Sequence, residues 1–287
     1  MKNVIITGSS SGFGMLTAIQ LAKENFHVYA TMRNVHKKNE LLRLAEKHHV
    51  TENITVWPLD VTSNQSINHF KERLLQLNHI DILINNAGYA VGGFCEDLSI
   101  EKYREQFETN VFGLIGVTQA VLPLMRKKKN GKIINISSIS GQMGFPGLSP
   151  YVSSKHAIEG FSESLRLELK PYGIDVVLVE PGSYQTNIWS NVDSILDYVN
   201  EIKSPYETYI KIIENEIQKE QKAFGDPLEV ALLITALCKK NQIPKLRYPI
   251  GKGVRANLFI KKLLSWKQWE RLVFKKLGIE RNNNIVK

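Results

Sequence analysis

The sequence predicts an α/β fold: a doubly wound parallel sheet of about seven strands with helices on both faces. Three observations carry this. Up to Glu180, short β-branched runs alternate with longer segments of helical periodicity. A glycine- and serine-rich turn, Thr7 to Gly14, separates the first run from the first helical segment. With 43% hydrophobic and 23% charged residues in 287, the composition is that of an ordinary globular chain able to bury a full core.

The expected strands are Asn3 to Thr7, His27 to Thr31, Ile54 to Leu59, Asp81 to Asn85, Lys132 to Ser137, Ile174 to Glu180 and Arg247 to Ile250. Between them, Gly14 to Glu24, Lys37 to His48, Asn64 to Leu77, Tyr103 to Met125 and Pro150 to Leu169 read as helices. Ser183 to Phe224 leaves the alternation, and its charged helical stretch from Pro205 to Lys222 reads as a lid over the strand ends. Residues 1–253 therefore read as one domain with lid 183–224. Residues 254–287 read as a basic C-terminal extension whose amphipathic helix runs from Val254 to Leu277.

Charge is local. The net +9 comes from Lys239 to Lys287, which hold 14 Lys and Arg against 2 Asp and Glu. A nucleic-acid binder would carry its positive stripe on the main fold, so no nucleic-acid partner is expected. Cys95 and Cys238 stand apart without metal or disulfide spacing, and the seven histidines form no metal-ligand motif. No apolar run approaches a membrane span and no signal-peptide core is read, so a reducing cytoplasm is the expected setting.

The turn after the first strand has the residues a pyrophosphate needs. Gly8 permits the tight turn, Gly12 a close approach of backbone, and Gly14 close helix-on-sheet packing, with Ser11 and Phe13 alongside and the helix N-terminus behind them. This makes the sheet Rossmann-type. Arg33 ends the second strand where an NAD-preferring protein usually places a carboxylate. With Ser11 it would hold a 2′-phosphate, favouring NADP(H) over NAD(H), or it is a solvated strand-end arginine. Asp60 would accept from the adenine amino group with Val61 against the ring, or the Asp60 to Ser63 stretch caps the next helix.

Tyr151 and Lys155 are four apart, on one face of a helix. Tyr248 and Lys252 share the spacing, but Pro249 and Gly251 argue against a helix there. Ser138 stands at a strand end, where this fold places its ligands. Together, Thr7 to Gly14, Asn85-Asn86-Ala87-Gly88, Asn110, Ser138, Tyr151 with Lys155, and Pro181-Gly182 with Thr186 resemble the short-chain dehydrogenase/reductase family, in the branch of steroid and retinol dehydrogenases.

The resemblance implies that Tyr151 is the acid/base and that Lys155 stabilises its anion and holds the nicotinamide ribose. It further implies that Ser138 binds the substrate oxygen and that the Asn110 side chain links Lys155 to solvent through water. A free tyrosine titrates near ~10, so such an assisting cation is needed for proton exchange at neutral pH. Asn86, Ala87 and Gly88 would support the adenosine ribose, although an asparagine tying neighbouring strands would look the same. Pro181 and Gly182 would turn the chain, and Thr186 would bond the carboxamide. A homodimer or homotetramer is also implied.

Phe145, Tyr184 and Trp189, with Met143 and Ile188, make the expected substrate side apolar, suited to a lipophilic alcohol or carbonyl compound. A non-catalytic NADP-binding sensor or scaffold is the alternative, with no need for the complete Asn110, Ser138, Tyr151, Lys155 set. The basic extension either packs on the body or makes peripheral contact with an anionic membrane. On a single helix, Phe259, Leu263, Trp266, Val273, Phe274 and Leu277 would share a face.

Overall fold

Seven parallel strands, in the order β3-β2-β1-β4-β5-β6-β7, form the sheet of the computed structural model, which describes residues 1–186, 204–221 and 224–279. The strands are β1 Lys2–Ile6, β2 Phe26–Met32, β3 Ile54–Pro58, β4 Ile82–Asn85, β5 Gly131–Ile136, β6 Ile174–Pro181 and β7 Arg247–Ile250. All six residues of β5 and all eight of β6 are buried. A parallel strand covered on both faces is mostly apolar, and the polar side chains buried here, Lys132, Asn135, Asp175 and Glu180, have hydrogen-bond partners.

Side-chain alternation splits the core into two layers. Val4 and Ile6 of β1 face one way, with Val28, Ile84 and Val177, while Ile5 faces the other, with Leu83, Ile133 and Val176. The first layer is covered by α1 (Gly12–Lys23), α2 (Asn39–Lys47) and, further on, α8 (Pro227–Lys239). The second is covered by α3 (Asn64–Leu74), α5 (Leu114–Lys128) and α6 (Ser149–Leu169). Strand order reverses at β1, so the crevice beyond the carboxyl ends of β1 and β4 is where the fold opens a ligand site.

Helix ends follow local chemistry. Ser63 caps α3 by accepting from Ser66 N at 3.2 Å, a cap supplied by the Asp60 to Ser63 stretch. Asp226 caps α8 ahead of Pro227, whose missing N–H costs nothing in the first turn. The α8 helix was not among the expected elements. It is fastened at its far end by the buried Lys132 ammonium, which donates to the carbonyls of Leu237, Cys238 and Lys240.

Three expectations are corrected. The segment expected as one helix from Tyr103 runs from α4 (Ile100–Phe107) through a π turn at Glu108–Gly113 into α5. This 29-residue stretch is long and apolar enough to cross a membrane by length and composition, contrary to the expectation that none would be. Val117, Val121 and Met125 are nonetheless fully buried against the sheet, which makes it a core helix. The extension is not one helix: α9 (Val254–Leu263) and α10 (Trp266–Lys276) meet at Leu264, because Ser265 and Gln268 form a capping box that starts a new helix. The single apolar face expected across both is therefore broken. Val254, Leu258 and Trp269 pack together against Met143, while Phe259, Leu263 and Trp266 stay exposed.

Of the lid, α7 (Glu207–Gln221) and its approach are described. Tyr206 stacks on Phe94 at 4.6 Å and donates its hydroxyl to Glu96 at 2.7 Å, and Ser204 donates to Asp97 at 2.7 Å. These contacts moor α7 to the loop that follows β4.

Candidate active site

One cavity of about 1280 Å³ runs from the glycine-rich turn to Tyr151 and on to α7 and α10. That exceeds the roughly 300–1,000 Å³ of an ordinary small-ligand pocket and leaves room for a dinucleotide beside a substrate.

At the phosphate end, Gly8 and Gly12 adopt φ of +68° and +56°, a region costly for residues with a Cβ. At Gly14 a Cβ would come within 2.4 Å of Asn86 Nδ2 and 2.5 Å of Gly8 O. Asn86 is the bolt of this turn: its Nδ2 donates to Thr7 O and Gly8 O at 2.9 and 3.0 Å. Thr7 Oγ1 in return accepts from the backbone N–H groups of Asn86 and Ala87. The strand-tying role of Asn86 is thus present. Ser11 starts α1 without capping it through its side chain, and the first turn holds no acidic residue, so the helix N-terminus faces the cavity with N–H groups to offer an anion. These residues fit a dinucleotide pyrophosphate.

Arg33 directly follows β2 and lines the cavity with Asn34 and Lys37. Lys37 was not singled out from the sequence, since it lies beyond the strand and reaches the cavity only because a short 3₁₀ turn at Val35–Lys38 folds it back. Asp60 also lines the cavity, its Oδ1 accepting from Thr62 N and Thr62 Oγ1 at 3.0 and 2.7 Å. The Asp60 to Ser63 stretch also caps α3, through Ser63, so the capping role expected of that stretch is present beside the cavity-lining position of Asp60. Val61 is buried beneath the π turn, where any Cβ at Gly113 would press on it at 2.8 Å.

At the chemical end, Tyr151 and Lys155 lie on α6 with the ammonium 5.6 Å from the ring centroid. Tyr151 is 8% exposed and Lys155 6%. Burial pushes the Tyr151 phenol up to about 12, and hydrogen bonding with Ser138 offsets part of the rise. Burial also pulls Lys155 down to about 8, against the charge of Glu159 one turn further on. Lys155 Nζ donates to Ile136 O at 2.7 Å, which anchors it to the end of β5. Ser138 caps a 3₁₀ turn by accepting from Ser140 N at 3.1 Å.

Asn110 sits in the π turn and is buried. Its Nδ2 donates to Tyr89 O and Ser154 Oγ at 3.0 and 3.1 Å, and its Oδ1 accepts from Tyr89 N at 3.1 Å. Both amide hydrogens are thus spent on the loop after β4 and on α6, which ties Asn110 to the helix that carries Tyr151 and Lys155. Gly88 is confined by the same amide, 3.1 Å from where its Cβ would stand.

Pro181 and Gly182 leave β6 beside Ser138, with Gly182 N donating to Ile250 O at 2.9 Å. Thr186 lies opposite Gly12, its Cβ 3.9 Å from where a Cβ on that glycine would stand. Phe145, Met143, Ile210, Ile213, Trp269 and Val273 give the far end its apolar walls. Tyr184, expected to contact substrate, lines the cavity yet is 1% exposed, edge-on to Phe13 at 5.6 Å and donating its hydroxyl to Glu229 at 3.2 Å. Trp189 and Ile188 lie outside the described residues.

A dinucleotide cradle opening onto a buried Ser, Tyr and Lys defines an NAD(P)-dependent oxidoreductase. Residues 2–196 match the family described as short chain dehydrogenase. The chain belongs to the short-chain dehydrogenase/reductase family. It is 52% identical over 276 residues to the uncharacterized oxidoreductase YusZ of Bacillus subtilis, covering 96% of this chain and 98% of that one. It is 36% identical over 267 residues to a 3-ketodihydrosphingosine reductase of Bacteroides thetaiotaomicron, covering 90% of each. Among solved structures, ElxO with NADP bound superimposes with a TM-score of 0.72 at 28% identity, over 89% of this chain and 99% of that one.

Proposed function

We propose that this enzyme uses NADP(H) to interconvert a lipophilic alcohol and its ketone, with Tyr151 as the acid/base. The observation that carries the reading is the meeting of Tyr151, Lys155 and Ser138 in the cavity that begins at Gly8 and Gly12. When bound, the nicotinamide supplies or accepts the hydride.

The chain's own residues do the rest. Gly8, Ser11, Gly12, Phe13 and Gly14 hold the phosphates, and Asp60, Val61, Ala87 and Gly88 hold the adenosine. Pro181, Gly182 and Thr186 border the nicotinamide side. Ser138 Oγ binds the substrate oxygen and Tyr151 gives it a proton in reduction or removes one in oxidation. A phenol at about 12 is too weak an acid for this alone, so the Lys155 ammonium must favour the phenolate as the proton leaves. Asn110 positions this pair from behind, through Ser154 on α6 and the Tyr89 loop.

Arg33 and Lys37, with no acidic residue directly after β2, support NADP(H) over NAD(H). The apolar walls built by Phe145, Ile210, Trp269 and Val273 support a lipophilic substrate. The long-chain keto compound named for the Bacteroides relative is of the same chemical character. Its setting is the reducing cytoplasm, in keeping with two free cysteines, and its working form a homodimer or homotetramer.

The test is NADPH oxidation and NADP reduction over aliphatic, aromatic, steroid, retinoid and long-chain keto compounds and alcohols, beside the Tyr151→Phe variant. Turnover confined to small polar carbonyls, or turnover kept by the variant, overturns the reading.

A further inference from the structure

Helix α9 is apolar on two sides. Val254 and Leu258 face the body and are buried. At 100° per residue, Phe259 and Leu263 form a second stripe about 140° around the helix. They are 63% and 67% exposed, and Trp266, which opens α10, is 67% exposed. Ile260 extends the same face. Large apolar side chains gathered on a helix's outer face mark a contact surface rather than scattered exposure.

The charge around this face identifies what it meets. Residues 252–279 hold eight Lys and Arg against one acidic residue, Glu270. Arg255, Lys262 and Lys267, interleaved with the apolar stripe, are exposed. A second copy of the chain meeting this face through a twofold axis would bring like charges together, which opposes association. An anionic bilayer offers both requirements at once, hydrocarbon for the aromatic and aliphatic side chains and phosphate for the cations.

We propose that the exposed face of α9 and the start of α10 docks on an anionic lipid surface, seating Phe259, Leu263 and Trp266 at the interface. The opposite side of the same helix pair walls the cavity, through Trp269, Leu272 and Val273. Docking would therefore set the apolar end of the cavity close to the lipid from which a lipophilic substrate is drawn. That consequence rests on the substrate reading above; the docking itself does not.

The experiment is co-sedimentation of the full chain with phosphatidylglycerol vesicles and with phosphatidylcholine vesicles. The expected result is binding to the anionic vesicles only, fading as salt rises from about 50 mM to about 500 mM. Replacing the three apolar residues (Phe259→Asn, Leu263→Asn, Trp266→Asn) should lower it at least ~10-fold. Replacing the three cations (Arg255→Gln, Lys262→Gln, Lys267→Gln) should lower it roughly 100-fold. Melting temperature and turnover of a short soluble ketone should stay unchanged in both, which separates lost docking from lost folding.

Absence of binding to the anionic vesicles at low salt overturns the proposal, as does binding that both variants retain. So does a wild-type assembly, read by sedimentation velocity, that dissociates in the apolar variant without any vesicle binding. Vesicle binding by a protein that reduces no lipophilic ketone would leave the docking intact and remove the substrate reading.

Discussion

The Ser137 hydroxyl donates to Glu159 Oε1 at 2.5 Å. Arg247 Nε reaches the other oxygen of the same carboxylate at 2.8 Å. Glu159 thus ties the residue preceding Ser138 to the helix that carries Tyr151 and Lys155, and its charge opposes the effect of burial on Lys155. The other charged groups around it are Glu163 and Glu180, both also paired to Arg247.

Removing that charge while keeping the shape tests the connection. In wild type, kcat/KM for NADPH should fall on the alkaline side with an apparent pKa near the about 8 of Lys155, because above it the ammonium is lost. Glu159→Gln should move this limb to lower pH, since Arg247 is left unbalanced and the ammonium is less favoured. A pH–rate profile that does not move would show that Glu159 only packs.

Glu180 predicts a stability effect of the opposite sense. It is fully buried, accepts from Gln142 at 2.5 Å and, among the described residues, leaves Oε2 without a hydrogen-bond partner. Burial, reinforced by the Glu159 charge, pushes it up to about 7. A carboxyl raised above its unfolded value stabilises the fold below the unfolded pKa, and that contribution is lost as pH rises through the folded pKa. Glu180→Gln should therefore gain about 1–3 kcal/mol at about pH 8 and much less at about pH 5, read as Tm at each pH.

Tyr151→Phe removes one hydroxyl and little volume. Turnover should fall by ~10²-fold or more while the NADPH dissociation constant changes little, measured by steady-state kinetics and fluorescence titration. Lys155→Ala should weaken NADPH binding as well, because its proposed ribose contact goes with the charge.

Arg33→Ala should raise the NADPH dissociation constant by roughly 10-fold or more, the worth of a hydrogen bond to a charged phosphate, and leave NADH nearly unchanged. Calorimetric titration of both cofactors reads the difference.

Gly14→Ala places a methyl group 2.4 Å from Asn86 Nδ2 and 2.5 Å from Gly8 O. Backbone on one side and the bolting amide on the other leave it nowhere to go. The variant should lose about 1–3 kcal/mol of stability by thermal melting and bind NADPH at least ~10-fold more weakly.

Much of this protein is determined by sequence alone, because local chemistry repeats at fixed spacing. Short, mostly apolar β-branched runs mark the strands, so all seven fall within a residue of the expected places, and β7 runs from Arg247 to Ile250 as read. The glycine turn and the pair Tyr151 and Lys155 are legible because each function lies within a few consecutive residues of one element. What only the tertiary structure decides are relations between distant segments. Lys37 reaches the cavity through a folded-back turn, Tyr184 at the cavity wall meets Glu229, and the Asn110 amide joins the Tyr89 loop to Ser154 on α6. The extension shows the reason most plainly. Helical periodicity continues in sequence across Leu264 and Ser265, yet Ser265 and Gln268 cap a new helix there. Packing of Trp269 beside Met143 then fixes which apolar side chains are buried and which remain outside.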